Sequence, residues 1–116
     1  MNIFQYAESS EIWWKNAITS VSPYKPFTTF FYDLSIADCF GQKGIKDTYK
    51  QVIKSWGKNI KYMTEFAMCL NYKIWQLHEI NAPIAKLYDE LYFKCRDYIL
   101  ENFEGDELKY FLETTD

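Results

Sequence analysis

The stretch NIKYMTEFAMCLNYKIWQLHEI, residues 59–80, decides the fold. Ile60, Met63, Ala67, Leu70, Ile74 and Leu77 follow one another at steps of three and four. That spacing lines up one face of a helix with 3.6 residues per turn. A second apolar set, Phe66, Met68, Cys69, Tyr72 and Trp75, widens the stripe. A helix that is apolar on most sides is buried on most sides, so the segment from about 60 to 80 is expected at the centre of a domain. Asn59 is its expected N-cap, because an Asn carboxamide can accept from the free N–H groups of the first turn.

The same reading extends toward the C-terminus. Pro83 suits the first helical position, where its missing N–H costs nothing. Ile84, Leu87, Tyr88, Leu91, Cys95 and Tyr98 make the inner face of a helix over 83–103. Gly105 is expected to close it and Asp106 to cap a last short helix through Leu112, docked by Leu108, Phe111 and Leu112. Thr114 to Asp116 are expected to fray.

Toward the N-terminus, Gly57 ends a helix that Gln42 or Lys43 opens and that runs to Trp56. Its stripe is Ile45, Tyr49, Val52 and Trp56. Gly41 stops a shorter helix over 29–40, with Phe30, Leu34 and Ala37 on one side. Pro23 and Pro26 predict a loop over 21–28. Ser10 is the expected cap of a helix over 11–20 with Ile12, Trp13 and Ile18 as apolar contacts, and a strand over 1–6 finds no partner. The expected architecture is all-α: a compact bundle of four to five helices around the central helix, one domain over 1–116, with 1–28 its less regular part.

Composition agrees with a packed chain. Of 116 residues, 48% are hydrophobic and 20% aromatic; each buried ring removes about 150–250 Å² from water, so disorder is not expected. Only 4 Gly and 3 Pro are present, too few for a turn-rich all-β chain. No apolar run reaches the ~18 residues a membrane-spanning helix needs, and no secretory signal pattern opens the chain. Cys39, Cys69 and Cys95 are odd in number and far apart. They suit a reducing cytoplasm and buried thiols.

Charge is spread unevenly. Residues 1–40 carry four acids and two bases, 41–80 seven lysines and three acids, and 81–116 nine acids and four bases, which is −2, +4 and −5 and sums to −3. Such a split favours a partner of complementary charge. An intramolecular match between the two fields is the plainer alternative. Lys46, Lys50 and Lys54 stand one helical turn apart, and Lys58 and Lys61 extend the series. A ridge of ammonium groups can neutralise phosphates, and Asp47 can weaken it by pairing with Lys43, Lys46 or Lys50. The chain has a single Arg, Arg96, and base edges are read chiefly by Arg, Asn and Gln, so sequence-specific DNA reading is disfavoured. The acidic counterpart is Asp89, Glu90, Asp97, Glu101, Glu104, Asp106 and Glu107. Trp13, Trp14, Tyr24, Tyr92 and Phe93 are candidate surface aromatics, either contact anchors or packing at the edges of the bundle.

Catalytic and metal chemistry finds little footing. His78 is the single histidine and no cysteine pair with ligand spacing exists. Nine residues at about 100° each set His78 and Cys69 on opposite faces of one helix. His78 is read as a half-exposed residue near a helix end, where an imidazolium suits the dipole. Asp97 and Glu101 stand one turn apart among other charges, which points to a solvated face rather than to acid–base work. No glycine-rich phosphate loop or nucleophile elbow is present. No cofactor, no metal and no catalytic residue is expected.

Three segments carry a resemblance: FYDLSIADCFGQKGIKDTYKQVIKSW (31–56), NIKYMTEFAMCLNYKIWQLHE (59–79) and LKYFLETTD (108–116). They resemble a family of small hypothetical proteins of phages and integrative conjugative elements of Firmicutes and related gut bacteria. Ile45-Lys46-Asp47-Thr48-Tyr49 and Leu70-Asn71-Tyr72-Lys73-Ile74-Trp75 are its most specific parts, and the first 26 residues lie outside it. The resemblance implies cytosolic cargo of a mobile element and supplies no catalytic residues. Small mixed-charge proteins of such elements are often similar to inhibitors of host defence, including anti-CRISPR proteins. The expectation is therefore a non-enzymatic protein-binding factor whose acidic residues occupy a nucleic-acid channel of a Cas effector nuclease. A nucleic-acid-associated accessory protein using the lysine row comes second, and a self-associating structural protein third. No membrane partner is expected.

Overall fold

The computed structural model describes the backbone of residues 26–115 and the side chains of residues 29–115. Every regular element among them is helical, as the periodicity predicts. The helix expected over 11–20, the strand considered over 1–6, and Trp13, Trp14 and Tyr24 lie outside the described residues. The chain divides into two compact units, Met1–Gly57 and Lys58–Asp116.

In the first unit, α1 spans Pro26–Ala37, a short 3-10 turn spans Asp38–Phe40, and α2 spans Gly41–Trp56. The helix begins at Pro26, inside the stretch expected to be a loop. Proline is tolerated at a first helical position because that N–H has no intrahelical acceptor in any case. Phe30, Leu34 and Ala37 are buried at their expected spacing and α1 packs on α2. Gly41 stops the preceding turn with φ 71°, a left-handed value that costs a glycine little. It is also the first residue of α2. Ile45, Tyr49 and Val52 form the buried stripe of α2.

In the second unit, α3 spans Ile60–Leu77, α4 Ala82–Asn102 and α5 Gly105–Thr115. The Asn59 side chain accepts from the Tyr62 N–H at 3.1 Å and the Asn81 side chain from the Ile84 N–H at 3.3 Å, so α3 and α4 are both capped by asparagine. The main packing is α3 against α4, and α5 lies on α3 as well. Met63, Phe66, Ala67, Cys69 and Leu70 of α3 meet a core that Leu87, Tyr88, Leu91, Cys95 and Ile99 of α4 and Phe111 of α5 complete.

Two details differ from the sequence expectation in this unit. Gly105 opens α5 at φ 62°, which puts Asp106 inside the first turn instead of at the cap. The helix also runs on through Thr115, whose hydroxyl donates to the Phe111 carbonyl at 2.8 Å, so Thr114 and Thr115, expected to fray, are helical.

The larger correction concerns the second apolar set of α3. Phe66 and Cys69 are buried, Met68 is half-buried, and Tyr72 and Trp75 are 52% and 69% exposed. The helix is apolar on more sides than its neighbours cover. With α4 and α5 as its packing partners in this unit, a wide arc of α3 is enclosed while the opposite stripe is left to solvent.

Candidate interaction surfaces

The acidic residues stand where helical period puts them. On α4, Glu90, Asp97, Glu101 and, just past its end, Glu104 follow at steps of seven, four and three, with Asp89 beside them. All five are exposed, as are Asp106 and Glu107 in the first turn of α5. Carboxylates at a helix N-terminus are favoured by the dipole, so Asp106 and Glu107 have a structural reason to be there that the α4 carboxylates lack. Among the described residues none of these seven forms an ion pair; the nearby Lys109 instead approaches Glu113 at 3.9 Å.

Apolar groups interrupt this acidic stripe. Phe93, 53% exposed, and Leu100 lie on the same side of α4 as Glu90 and Asp97. Tyr92, the other aromatic candidate here, is half-buried and meets the Phe93 ring edge to face at 5.5 Å between centroids. The contact steadies Phe93 where it projects.

The basic ridge sits on the other unit. Lys46, Lys50 and Lys54 are exposed along one side of α2, about 6 Å apart along the axis at 1.5 Å per residue. No ion pair joins Asp47 to Lys46 or Lys50 among the described residues, contrary to the local pairing expected; Asp47 is half-buried instead. Lys58 and Lys61 are exposed too and belong to the second unit.

One lysine of the basic segment is not on the surface at all. Lys73 is only 2% exposed. Its Nζ donates to Gln76 Oε1 at 2.8 Å and stands 5.7 Å from the centroid of the Tyr88 ring. A cation over an aromatic face is stabilised by the ring quadrupole. The +4 counted over residues 41–80 therefore overstates the field that segment presents. Sequence offers one clue: Lys73 falls three residues beyond Leu70, which itself falls three beyond Ala67, inside the apolar arc.

His78 caps α3 and is exposed, as read. A carbonyl only accepts, so the 2.8 Å contact with the Trp75 carbonyl places a proton on Nδ1. Nε2 faces Glu79 Oε1 at 3.6 Å. The imidazole also packs edge to face on Trp75, 5.9 Å between centroids. Among the described residues no three His, Cys, Asp or Glu side chains converge as metal ligands, and no helix is long and apolar enough to cross a membrane. Burial pushes the Cys95 thiol up to about 12 and raises the Glu65 carboxyl; Cys39 is exposed and Cys69 is buried.

Comparison with protein-family models, curated proteins and solved structures finds no match.

Proposed function

We propose that this chain is a non-enzymatic binding protein of a mobile genetic element, and that the acidic side of α4 docks on a basic, nucleic-acid-binding surface of a host-defence nuclease. An anti-CRISPR protein acting on a Cas effector is the sharpest form of this reading. The observation that carries it is a row of exposed carboxylates, Glu90, Asp97 and Glu101, with no cation partner and with Phe93 and Leu100 set among them. Like charges at helical spacing, such as Asp97 and Glu101, cost a helix about 0.2–0.5 kcal/mol per pair. A basic partner removes that cost and gains Coulomb energy, and the two apolar side chains supply what charge alone does not, a seat that excludes water.

The test is an interference assay in cells carrying an active effector, with binding of the purified effector measured alongside. Asp97→Lys with Glu101→Lys is expected to abolish protection and to weaken effector binding by more than tenfold. Lys46→Glu with Lys50→Glu is expected to leave both intact. Unaltered inhibition by the α4 double variant removes the mechanism.

A second reading rests on the ridge of Lys46, Lys50 and Lys54, which is exposed and unpaired among the described residues. It suits a nucleic-acid accessory role, and its signature is affinity for DNA that drops steeply with salt. Gel shifts on single- and double-stranded DNA at two salt concentrations separate the two.

A further inference from the structure

The outward side of α3 is a pattern in its own right. Lys61, Glu65, Met68, Tyr72 and Trp75 step by four, three, four and three, and Glu79 follows four later in the turn after the helix. At about 100° per residue this stripe faces away from the buried arc of Met63, Phe66, Ala67 and Leu70. Its spacing is the heptad a/d alternation of a coiled-coil seam. Both aromatic members are strongly exposed, Trp75 at 69% and Tyr72 at 52%, while Met68 between Glu65 and Tyr72 is half-buried; Ile80, in the turn after the helix, is 79% exposed. His78 already holds Trp75 in place through its ring contact.

The order of residues along the stripe reads as its own complement. Positions 61 and 79, 65 and 75, and 68 and 72 are each symmetric about 70. An antiparallel copy centred there therefore sets Lys61 against Glu79, Glu65 against Trp75 and Met68 against Tyr72, twice over. A parallel copy would set Lys61 on Lys61 and Glu79 on Glu79. Closed two-fold pairing is the commonest symmetry for a self-complementary patch, and antiparallel helices also oppose their dipoles favourably.

We propose that two copies of this chain associate through the outward stripe of α3, antiparallel about a two-fold axis at the level of Leu70, with Trp75 as the anchor and the Lys61–Glu79 pairs at both ends setting the direction. Trp and Tyr are the residue types that dominate interface energetics. Glu65 is already half-buried, so covering it removes less hydration than covering an open carboxylate, and the indole N–H of Trp75 is a donor it can meet. The stripe is about 27 Å long at 1.5 Å per residue, which sets an interface at the low end of the stable size range. The acidic side of α4 takes no part in it, so this association and the proposed docking of α4 stand or fall separately.

Sedimentation of the full chain over a hundredfold concentration range tests it. A monomer–dimer equilibrium is expected, and Trp75→Ala is expected to leave only monomer while its helical circular dichroism stays unchanged. Lys61→Glu and Glu79→Lys, each alone, put like charges at both ends and weaken the dimer about tenfold. Mixing the two single variants restores both end pairs, so a heterodimer about as strong as the original dimer is expected to form. A chain that stays monomeric throughout overturns the proposal. So does a dimer that survives Trp75→Ala, or a mixture of the two charge variants no tighter than either alone.

Discussion

Helices α2 and α4 are built alike on the inside and differently on the outside. Each buries one aliphatic stripe, Ile45 and Val52 on α2, Leu91 and Ile99 on α4. Each carries on its outer side a run of like charges without ion pairs among the described residues, Lys46, Lys50 and Lys54 in one case, Glu90, Asp97 and Glu101 in the other. The α2 run is charge alone. The α4 run is broken by Phe93 and Leu100. Bare charge acts over about a Debye length and is screened by salt; charge around an apolar centre also has something to desolvate. In the proposed docking, that difference makes α4 the more specific surface and leaves α2 a general electrostatic attraction.

The inner stripes set the largest expected effects. Ile45→Ala and Ile99→Ala each remove a fully buried side chain, and each is expected to lower stability by about 2–5 kcal/mol, read from urea or thermal unfolding. A loss under 1 kcal/mol at either position would break the equivalence of the two inner faces. Next comes thiol reactivity. Cys95, on the inner side of α4 with its thiol pushed up to about 12, stays protonated at pH 8, whereas Cys39 beside α2 is exposed. Alkylation at pH 8 is expected to run on the order of a hundredfold faster at Cys39, by mass spectrometry of the native protein, because the thiolate is the nucleophile. Equal rates would mean that α4 opens as readily as the surface.

Capping separates the helices more modestly. Asn81→Ala removes the side-chain acceptor at the start of α4 and is expected to cost about 1 kcal/mol. Helix α2 has no side-chain cap at Phe40 to lose. The smallest effects are electrostatic. Lys50→Gln and Glu101→Gln each relieve like-charge repulsion and are expected to raise stability by about 0.2–0.5 kcal/mol at low salt, the gain fading in 1 M salt. A loss of stability at either position would reveal a partner for that charge within the fold.

Much of this was legible because charged side chains at outer helical positions are governed by period alone. The positions of the α4 carboxylates and of Lys46, Lys50 and Lys54 follow from spacing, and so do the stripes of Met63, Ala67 and Leu70 and of Leu87, Leu91 and Cys95. Two residues resisted the same logic. Trp75 looks like core by hydropathy, yet its exposure depends on how far α4 and α5 reach round α3. Lys73 looks like surface by charge, yet Gln76 and the Tyr88 ring receive it inside. Neither answer is carried by a single helix.

Local chemistry alone therefore determined that the described chain is helical, with an asparagine start at Asn59, a proline in the first turn at Pro83 and its charges sorted by sign along the chain. Those features need only neighbours within a turn or two. Which side of α3 was enclosed, which lysine was buried and which aromatic rings were left in water were decided by tertiary packing. The hydrophobic effect rewards burial without naming the surface that provides it.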